Sequence, residues 1–169
     1  MNLYPKLYLK RVQEITYQML EENGIAGVIL DVDNTLIDYY KKMPEGVEEW
    51  CRNLKEQGIK FCIASNSNKK KKVEMVANIL DIPYIYFAKK PLKKGLRKAG
   101  KIMGLEPKKV AVVGDQIFTD VLGANRTGMY SILIEPIEEK DIFVTVIKRP
   151  IENYIKKKYQ EKNERGKGE

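Results

Sequence analysis

The chain has 169 residues, 43% of them hydrophobic, a formal net charge of +8, two cysteines and no histidine. That length suits one domain with a single core. The missing histidine removes Ser-His-Asp and Cys-His catalysis, phosphohistidine chemistry and most zinc enzymes, so acid–base work falls to carboxylates, Lys or Tyr.

Residues 8–23 carry Val12, Ile15, Met19 and Leu20 at helical spacing, with Gly24 as a stop. This predicts an N-terminal helix over 1–24 packed on the domain. G-V-I-L-D-V then reads as a buried strand. Pro44 opens a helix with Val47, Trp50 and Leu54 on one face, ending at Gly58. I-K-F-C-I-A is a second strand, followed by a helix with Val73, Val76, Ala77 and Leu80 inward. Next come Y-I-Y-F-A as a strand, a helix over 92–103 (Leu92, Leu96, Ala99, Met103 inward), and K-V-A-V-V-G as a strand. A helix around Thr119–Arg126 leads through Gly128 to the strand S-I-L-I. Residues 151–162 look helical, with Ile151, Tyr154, Ile155 and Tyr159 on one face, and the last seven read as disordered. The division expected is 1–24, a catalytic domain over 25–147, and a basic helix and tail over 148–169.

Repeated alternation of helices with short, wholly apolar strands predicts an α/β fold: a three-layer, doubly wound parallel sheet covered on both faces. Such sheets place their sites at the C-terminal strand ends. Cys62 reads as a core thiol and Cys51 as a helical one; neither spacing suggests a disulfide or a zinc site. The basic excess lies at the chain ends: +3 over residues 1–11 and +4 over 148–169, leaving +1 for the 136 residues between. No apolar run approaches the ~18–20 residues of a spanning helix, and the N-terminus lacks a secretory pattern. A cytoplasmic protein is expected, with basic ends suited to an anionic surface.

The strand ends carry the chemistry. The first strand ends in D-V-D-N-T-L, where Asp31 and Asp33 project together while Val32 turns into the core. Two carboxylates so close call for a cation between them or a shared proton; a capped strand–helix turn is the structural alternative. The fourth strand ends in V-V-G-D-Q-I-F-T-D. Asp115 and Asp120 would meet the first pair if the two strands are neighbours, and three or four oxygen ligands describe a magnesium site. An N-cap role suits Asp120 as well. The second strand ends in A-S-N-S, where Ser65 and the backbone at Asn66 could hold a phosphoryl oxygen, with Ser67 or Asn68 as the helix cap. The third ends in A-K-K-P, where a lysine would neutralise phosphoryl charge. Lys90 is the first choice there, Lys94 the second, and Lys89 also fits.

D-V-D-N-T, the Ser of A-S-N, K-P and G-D-Q-I-F-T-D resemble, in order and spacing, the four motifs of haloacid dehalogenase (HAD) phosphatases, over about residues 25–135. The resemblance implies that Asp31 is a nucleophile forming an aspartyl-phosphate and that Asp33 is the general acid–base. It implies that Asp31, the backbone carbonyl of Asp33, Asp115 and Asp120 hold Mg²⁺, and that Ser65, Asn66 and Lys90 bind phosphate. Thr35 would support the loop.

Many such enzymes insert a cap domain between the motifs. Here Thr35 to Ser65 leaves room for a short flap and one helix, and Ser65 to Lys90 for one helix, so no cap is expected. An open site suits a substrate whose bulk stays outside. Tyr39, Tyr40, Lys41 and Lys42 either rim the mouth or form a solvated loop.

The G-I-A-G-V-I-L-D-V-D-N-T-L, A-K-K-P-L and G-D-Q-I-F-T-D-V-L-G-A-N-R segments are similar to the capless subclass IIIA, YqeG-type branch. That branch implies a phosphatidylglycerophosphate-like lipid head group at an anionic membrane surface, met peripherally at the inner face, with no nucleic acid partner. The alternatives are a phosphoprotein, a nucleic acid end or a soluble ester as substrate, and a receiver-like module that accepts phosphate as a signal. Nothing in the sequence sets the oligomeric state.

Overall fold

Six strands, all parallel, form one sheet in the order β1-β6-β5-β2-β3-β4. The strands are β1 (Leu7–Leu9), β2 (Gly27–Leu30), β3 (Lys60–Ala64), β4 (Tyr84–Ile85), β5 (Val110–Gly114) and β6 (Tyr130–Ile134). The coordinates are a computed structural model that describes residues 2–138 and 143–167. The chain divides into two compact units, Met1–Glu138 and Glu139–Glu169.

Side chains alternate between the sheet's two faces. Val28 and Leu30 of β2, Phe61 and Ile63 of β3, and Ala111 and Val113 of β5 enter one core. There they meet α1 (Tyr17–Glu22), α2 (Val47–Glu56) and α3 (Lys70–Leu80). Ile29, Cys62 and Val112 point the other way, against α4 (Lys93–Met103) and α5 (Leu122–Thr127). This is the three-layer, doubly wound parallel architecture expected from the alternation. Only α2 separates β2 from β3, and only α3 separates β3 from β4, so no cap domain is inserted at either point.

Cys51 and Cys62 are buried and free. Burial pushes their thiols up to about 11 and about 12, which keeps them protonated and unreactive. No helix among the described residues is long and apolar enough to cross a membrane.

Four local expectations are corrected. The helix predicted over 8–23 is instead β1, a 3-10 turn (Val12–Glu14) and the short α1. Pairing with β6, Leu7 opposite Ile132 and Leu9 opposite Ile134, takes the first segment. The 3-10 turn still buries Val12 and Ile15, so the helical spacing was satisfied by another geometry. Thr16 Oγ1 accepts the Met19 N–H at 3.2 Å and starts α1.

β4 is two residues rather than five, because Tyr86 and Phe87 leave the sheet; the Phe87 N–H donates to Ser67 O at 2.8 Å. Leu92, placed inward by periodicity, precedes α4 and is exposed. Within the second unit, α6 spans Arg149–Lys167, so most of the tail read as disordered is helical. Its Glu152/Lys156 and Glu161/Arg165 spacings favour helix at i,i+4. Residues 168–169 and the side chain of Tyr159 lie outside the described residues.

Candidate active site

β2 and β5 are adjacent, with Leu30 opposite Val113. The two acidic motifs therefore leave the sheet side by side. The Asp31 N–H donates to Val113 O at 3.0 Å, tying the nucleophile candidate to β5. Beyond it the backbone tightens: Val32 O accepts the N–H groups of Thr35, Leu36 and Ile37. Asn34 takes a left-handed conformation (φ 61°) that Asn tolerates. Its side-chain oxygen accepts the Glu138 N–H at 2.9 Å, and its amide donates to Glu138 O at 3.3 Å. Val32 is fully buried, as expected.

Asp31, Asp115 and Asp120 are buried, and one carboxylate oxygen from each lies within 4.8 Å of the other two. Thr35 Oγ1 donates to Asp115 Oδ1 at 3.1 Å. Asp120 returns to the cluster through a π-turn (Ile117–Val121), in which the Asp120 and Val121 N–H groups both donate to Gln116 O. Its Oδ2 accepts the Gln116 N–H at 3.1 Å. That path needs a glycine at 114, since a Cβ there would overlap the Asp120 carboxylate.

Of the candidate lysines, Lys90 is the one that lies against these carboxylates. Its Nζ lies 3.0 Å from Asp31 Oδ1 and 2.6 Å from Asp120 Oδ1, and it is 4% exposed. Lys89 and Lys94 are exposed and point elsewhere. Burial opposes the Lys90 charge, but Asp120 and Asp31 outweigh it and hold the ammonium pKa above its usual value.

Three buried carboxylates against one ammonium leave two negative charges uncompensated. Burial, then Asp31 and Asp120, push the Asp115 carboxyl up to about 7; burial and Asp31 raise Asp120 despite Lys90. The deficit equals the charge of one divalent cation. The donors are all hard carboxylate oxygens, the set that suits Mg²⁺ rather than a thiophilic or imidazole-bound metal.

The remaining predicted residues fall nearby with different tasks. Asp33 is the exception to burial: its carboxylate is 53% exposed and pairs with Lys72 Nζ at 2.7 Å. The sequence reading had one cation or a shared proton serving both Asp31 and Asp33. Instead each carboxylate has its own lysine, because Asp33 opens to solvent where Lys72 of α3 reaches it. Lys72 carried no signal among the run of lysines at 69–72.

Ser65 is buried, and its Oγ accepts the Ser67 N–H at 3.1 Å. Ser67 Oγ accepts the Lys69 N–H ahead of α3. The Asn66 side chain accepts the Lys90 N–H at 2.7 Å and donates to Lys90 O at 2.9 Å. It clamps the backbone of the lysine loop. Gly114 was legible in principle: a glycine ending a buried strand just before an acid marks a close approach.

A family model for haloacid dehalogenase-like hydrolases matches residues 40–128. The chain belongs to this family. Among relatives of this HAD-like hydrolase, the Bacillus subtilis protein named probable phosphatase YqeG is 38% identical over 89% of this chain and 88% of that protein. A Pyrococcus furiosus glyceraldehyde 3-phosphate phosphatase is 27% identical, over 74% of this chain and 54% of its own length. An Arabidopsis thaliana phosphatidylglycerophosphate phosphatase 1 is 26% identical, over 86% of this chain and 45% of its own. The chain thus spans about half the length of these last two. A HAD-superfamily hydrolase of subfamily IA from Geobacter sulfurreducens shares the fold: TM-score 0.55 and 16% identity over 69% of this chain and 95% of that one. The HAD-like hydrolase described here is an enzyme of the phosphatase type.

Proposed function

We propose that the chain hydrolyses phosphate monoesters through a covalent phosphate on Asp31, and that its substrate is a phospholipid monoester of the phosphatidylglycerophosphate kind. The observation that carries the chemistry is the buried trio of carboxylates held against one ammonium, with Asp31 in contact with that ammonium.

A carboxylate is ionised at neutral pH and needs no base to activate it. An Asp31 oxygen forms a bond to phosphorus while the bond to the leaving oxygen breaks, and the electron pair departs with that oxygen. Asp33, at the solvent edge, gives it a proton. Water then attacks phosphorus and loses a proton to Asp33. The bond to Asp31 breaks, releasing phosphate and restoring the carboxylate. Lys90 faces the transferring group because it is already seated on Asp31 Oδ1. Asn66 keeps it there by holding both polar groups of its backbone, and Ser65 lies at the end of the neighbouring strand. Asp31, Asp115, Asp120 and the Asp33 carbonyl would hold Mg²⁺, which supplies charge neutralisation for phosphoryl transfer. Asp33 must turn from Lys72 to reach the leaving oxygen.

The lipid assignment is supported by the absence of a cap, by the basic ends of the chain and by the Arabidopsis relative. It implies a cytoplasmic protein working peripherally at the inner face of the membrane. The Pyrococcus relative favours a soluble ester as the second reading. Hydrolysis of phosphatidylglycerophosphate in mixed micelles, measured beside glyceraldehyde 3-phosphate and other soluble monoesters with Mg²⁺, separates the two. Equal consumption of the soluble esters at matched concentration would remove the lipid assignment and leave the chemistry.

A further inference from the structure

We infer that the catalytic edge of the sheet carries a lipid-docking surface, built from exposed aromatic side chains and a lysine-rimmed apolar cleft, that seats the enzyme on an anionic bilayer. This rests on the lipid reading above and gives it a place on the molecule.

In a parallel sheet all loops that follow strands lie at one edge, here the edge holding Asp31. Tyr39 and Tyr40 follow β2, Phe87 follows β4 and Phe118 follows β5. They are 82%, 82%, 53% and 64% exposed. Large aromatic side chains left in water on three separate loops of one sheet edge are more than the scattered exposure of an ordinary surface. Phe87 also holds a left-handed backbone (φ 52°), as does Lys89 (φ 57°). That conformation is unfavourable for a bulky residue and is a mark of functional segments. Backbone bonds maintain it: Phe87 N–H to Ser67 O and Ala88 N–H to Ser65 O, both at 2.8 Å.

Behind Phe87 lies an open cleft of about 320 Å³, bounded by Tyr86, Phe87 and Leu92 with Lys89, Lys94 and Lys98 around it. No carboxylate lines it. Between Asp81 and Glu106 the chain has seven basic side chains and no acidic one. One of them, Lys90, is buried in the site; Lys94 and Lys98 sit one turn apart on α4. The near-neutral total of the central chain therefore hides a locally cationic face. Lys89 Nζ stands 4.8 Å from the centre of the Phe87 ring, joining charge to apolar surface. Aromatic and aliphatic groups interleaved with lysine stems match the bilayer interface, apolar below and phosphate above. The same loop continues into Lys90, the buried lysine of the site, so the cleft and the site share one segment of chain.

Co-sedimentation with vesicles of phosphatidylcholine, alone or mixed with phosphatidylglycerol, tests this on the full chain. The parent should bind the anionic vesicles and not the neutral ones. Lys94→Gln with Lys98→Gln should weaken that binding about 30-fold, at about fivefold per lysine. Phe87→Ser with Leu92→Ser should weaken it about tenfold or more. Both double variants should hydrolyse p-nitrophenyl phosphate like the parent, which separates lost docking from lost folding or chemistry. As a second readout, Phe87→Trp should give blue-shifted emission on adding anionic vesicles. Parent-like vesicle binding by both double variants, or no binding by the parent, overturns the inference even where phosphate esters are hydrolysed. Binding to an acidic polyglutamate peptide in place of vesicles also overturns it, reassigning the face to a protein partner. Absent hydrolysis with intact vesicle binding would sink the proposed chemistry instead.

Discussion

The ammonium of Lys90 lies 3.0 Å from Oδ1 of Asp31, across 59 positions of sequence, and the same nitrogen holds Asp120. A nucleophile candidate and a phosphate-binding candidate are thus one buried ion-paired unit before any substrate arrives. Electrostatic groups fixed in advance need no reorganisation during phosphoryl transfer.

Breaking that unit from the lysine side should be costly. Lys90→Met removes the cation that, among the described residues, is seated on the buried acidic trio, and leaves Asp31 and Asp120 facing each other. Loss of one partner of a buried pair costs about 3–5 kcal/mol. Chemical denaturation should show a drop of that size, and Lys90→Met combined with Asp120→Asn should recover part of it. An unchanged midpoint for Lys90→Met would contradict the pairing.

The two motif aspartates should separate stability from chemistry. Asp31→Asn is expected to abolish turnover without destabilising the metal-free protein, because it removes one of three crowded buried charges. Asp33→Asn disrupts only a partly exposed pair with Lys72, worth about 0.2–1 kcal/mol, yet should lower turnover about 10²–10⁴-fold. Intact-mass analysis of Asp33→Asn after substrate addition should reveal a phosphorylated chain that Asp31→Asn never shows. Rapid phosphate release by Asp33→Asn would dismiss the acid–base role.

Metal and proton should compete. Asp115 and Asp120 titrate above the free carboxylate value of about 3.9, so folding takes up protons. Their stabilising contribution is complete below about pH 4 and disappears as pH rises through the folded value, about 7 for Asp115. Metal-free protein should therefore lose melting temperature from this cluster between pH 5 and 8, by several degrees in the order of magnitude expected for a few kcal/mol. Added Mg²⁺ should raise melting temperature more at pH 8 than at pH 5, because ligands must be deprotonated. A Mg²⁺ effect that is equal at both pH values would argue against the trio as the ligand set.

Gly114→Ala tests the close approach behind Asp120. The added Cβ meets the Asp120 carboxylate, which must swing away from Lys90 or push β5 aside. A loss of about 1–3 kcal/mol is expected, with a higher Mg²⁺ requirement for activity. Activity and melting equal to the parent would show that Asp120 has room the structure denies it.

Much of the fold was legible because it is local. The helices at 47–56, 70–80 and 93–103 follow from apolar periodicity, and β2, β3, β5 and β6 from short runs buried on both faces. The motifs were legible because strand ends converge at one edge whenever the sheet is parallel. Leu7–Leu9 was misread because its partner β6 begins more than a hundred residues later, and pairing outweighs local spacing. Phe87 was read as strand because its turn depends on a bond to Ser67, in the loop after the neighbouring strand β3.

The sequence by itself determined the chemistry available: which strand ends carry Asp31, Asp115 and Asp120, that no histidine competes with them, and that no cap domain is inserted between the motifs. Only the tertiary structure decided how those groups are used. It chose Lys90 from a run of lysines by burying one ammonium against carboxylates, committed the Asn66 amide to backbone, gave Asp33 to Lys72, and gathered exposed aromatics around one edge. Composition and spacing act along the chain, whereas desolvation and ion pairing depend on which distant side chains share a few ångströms.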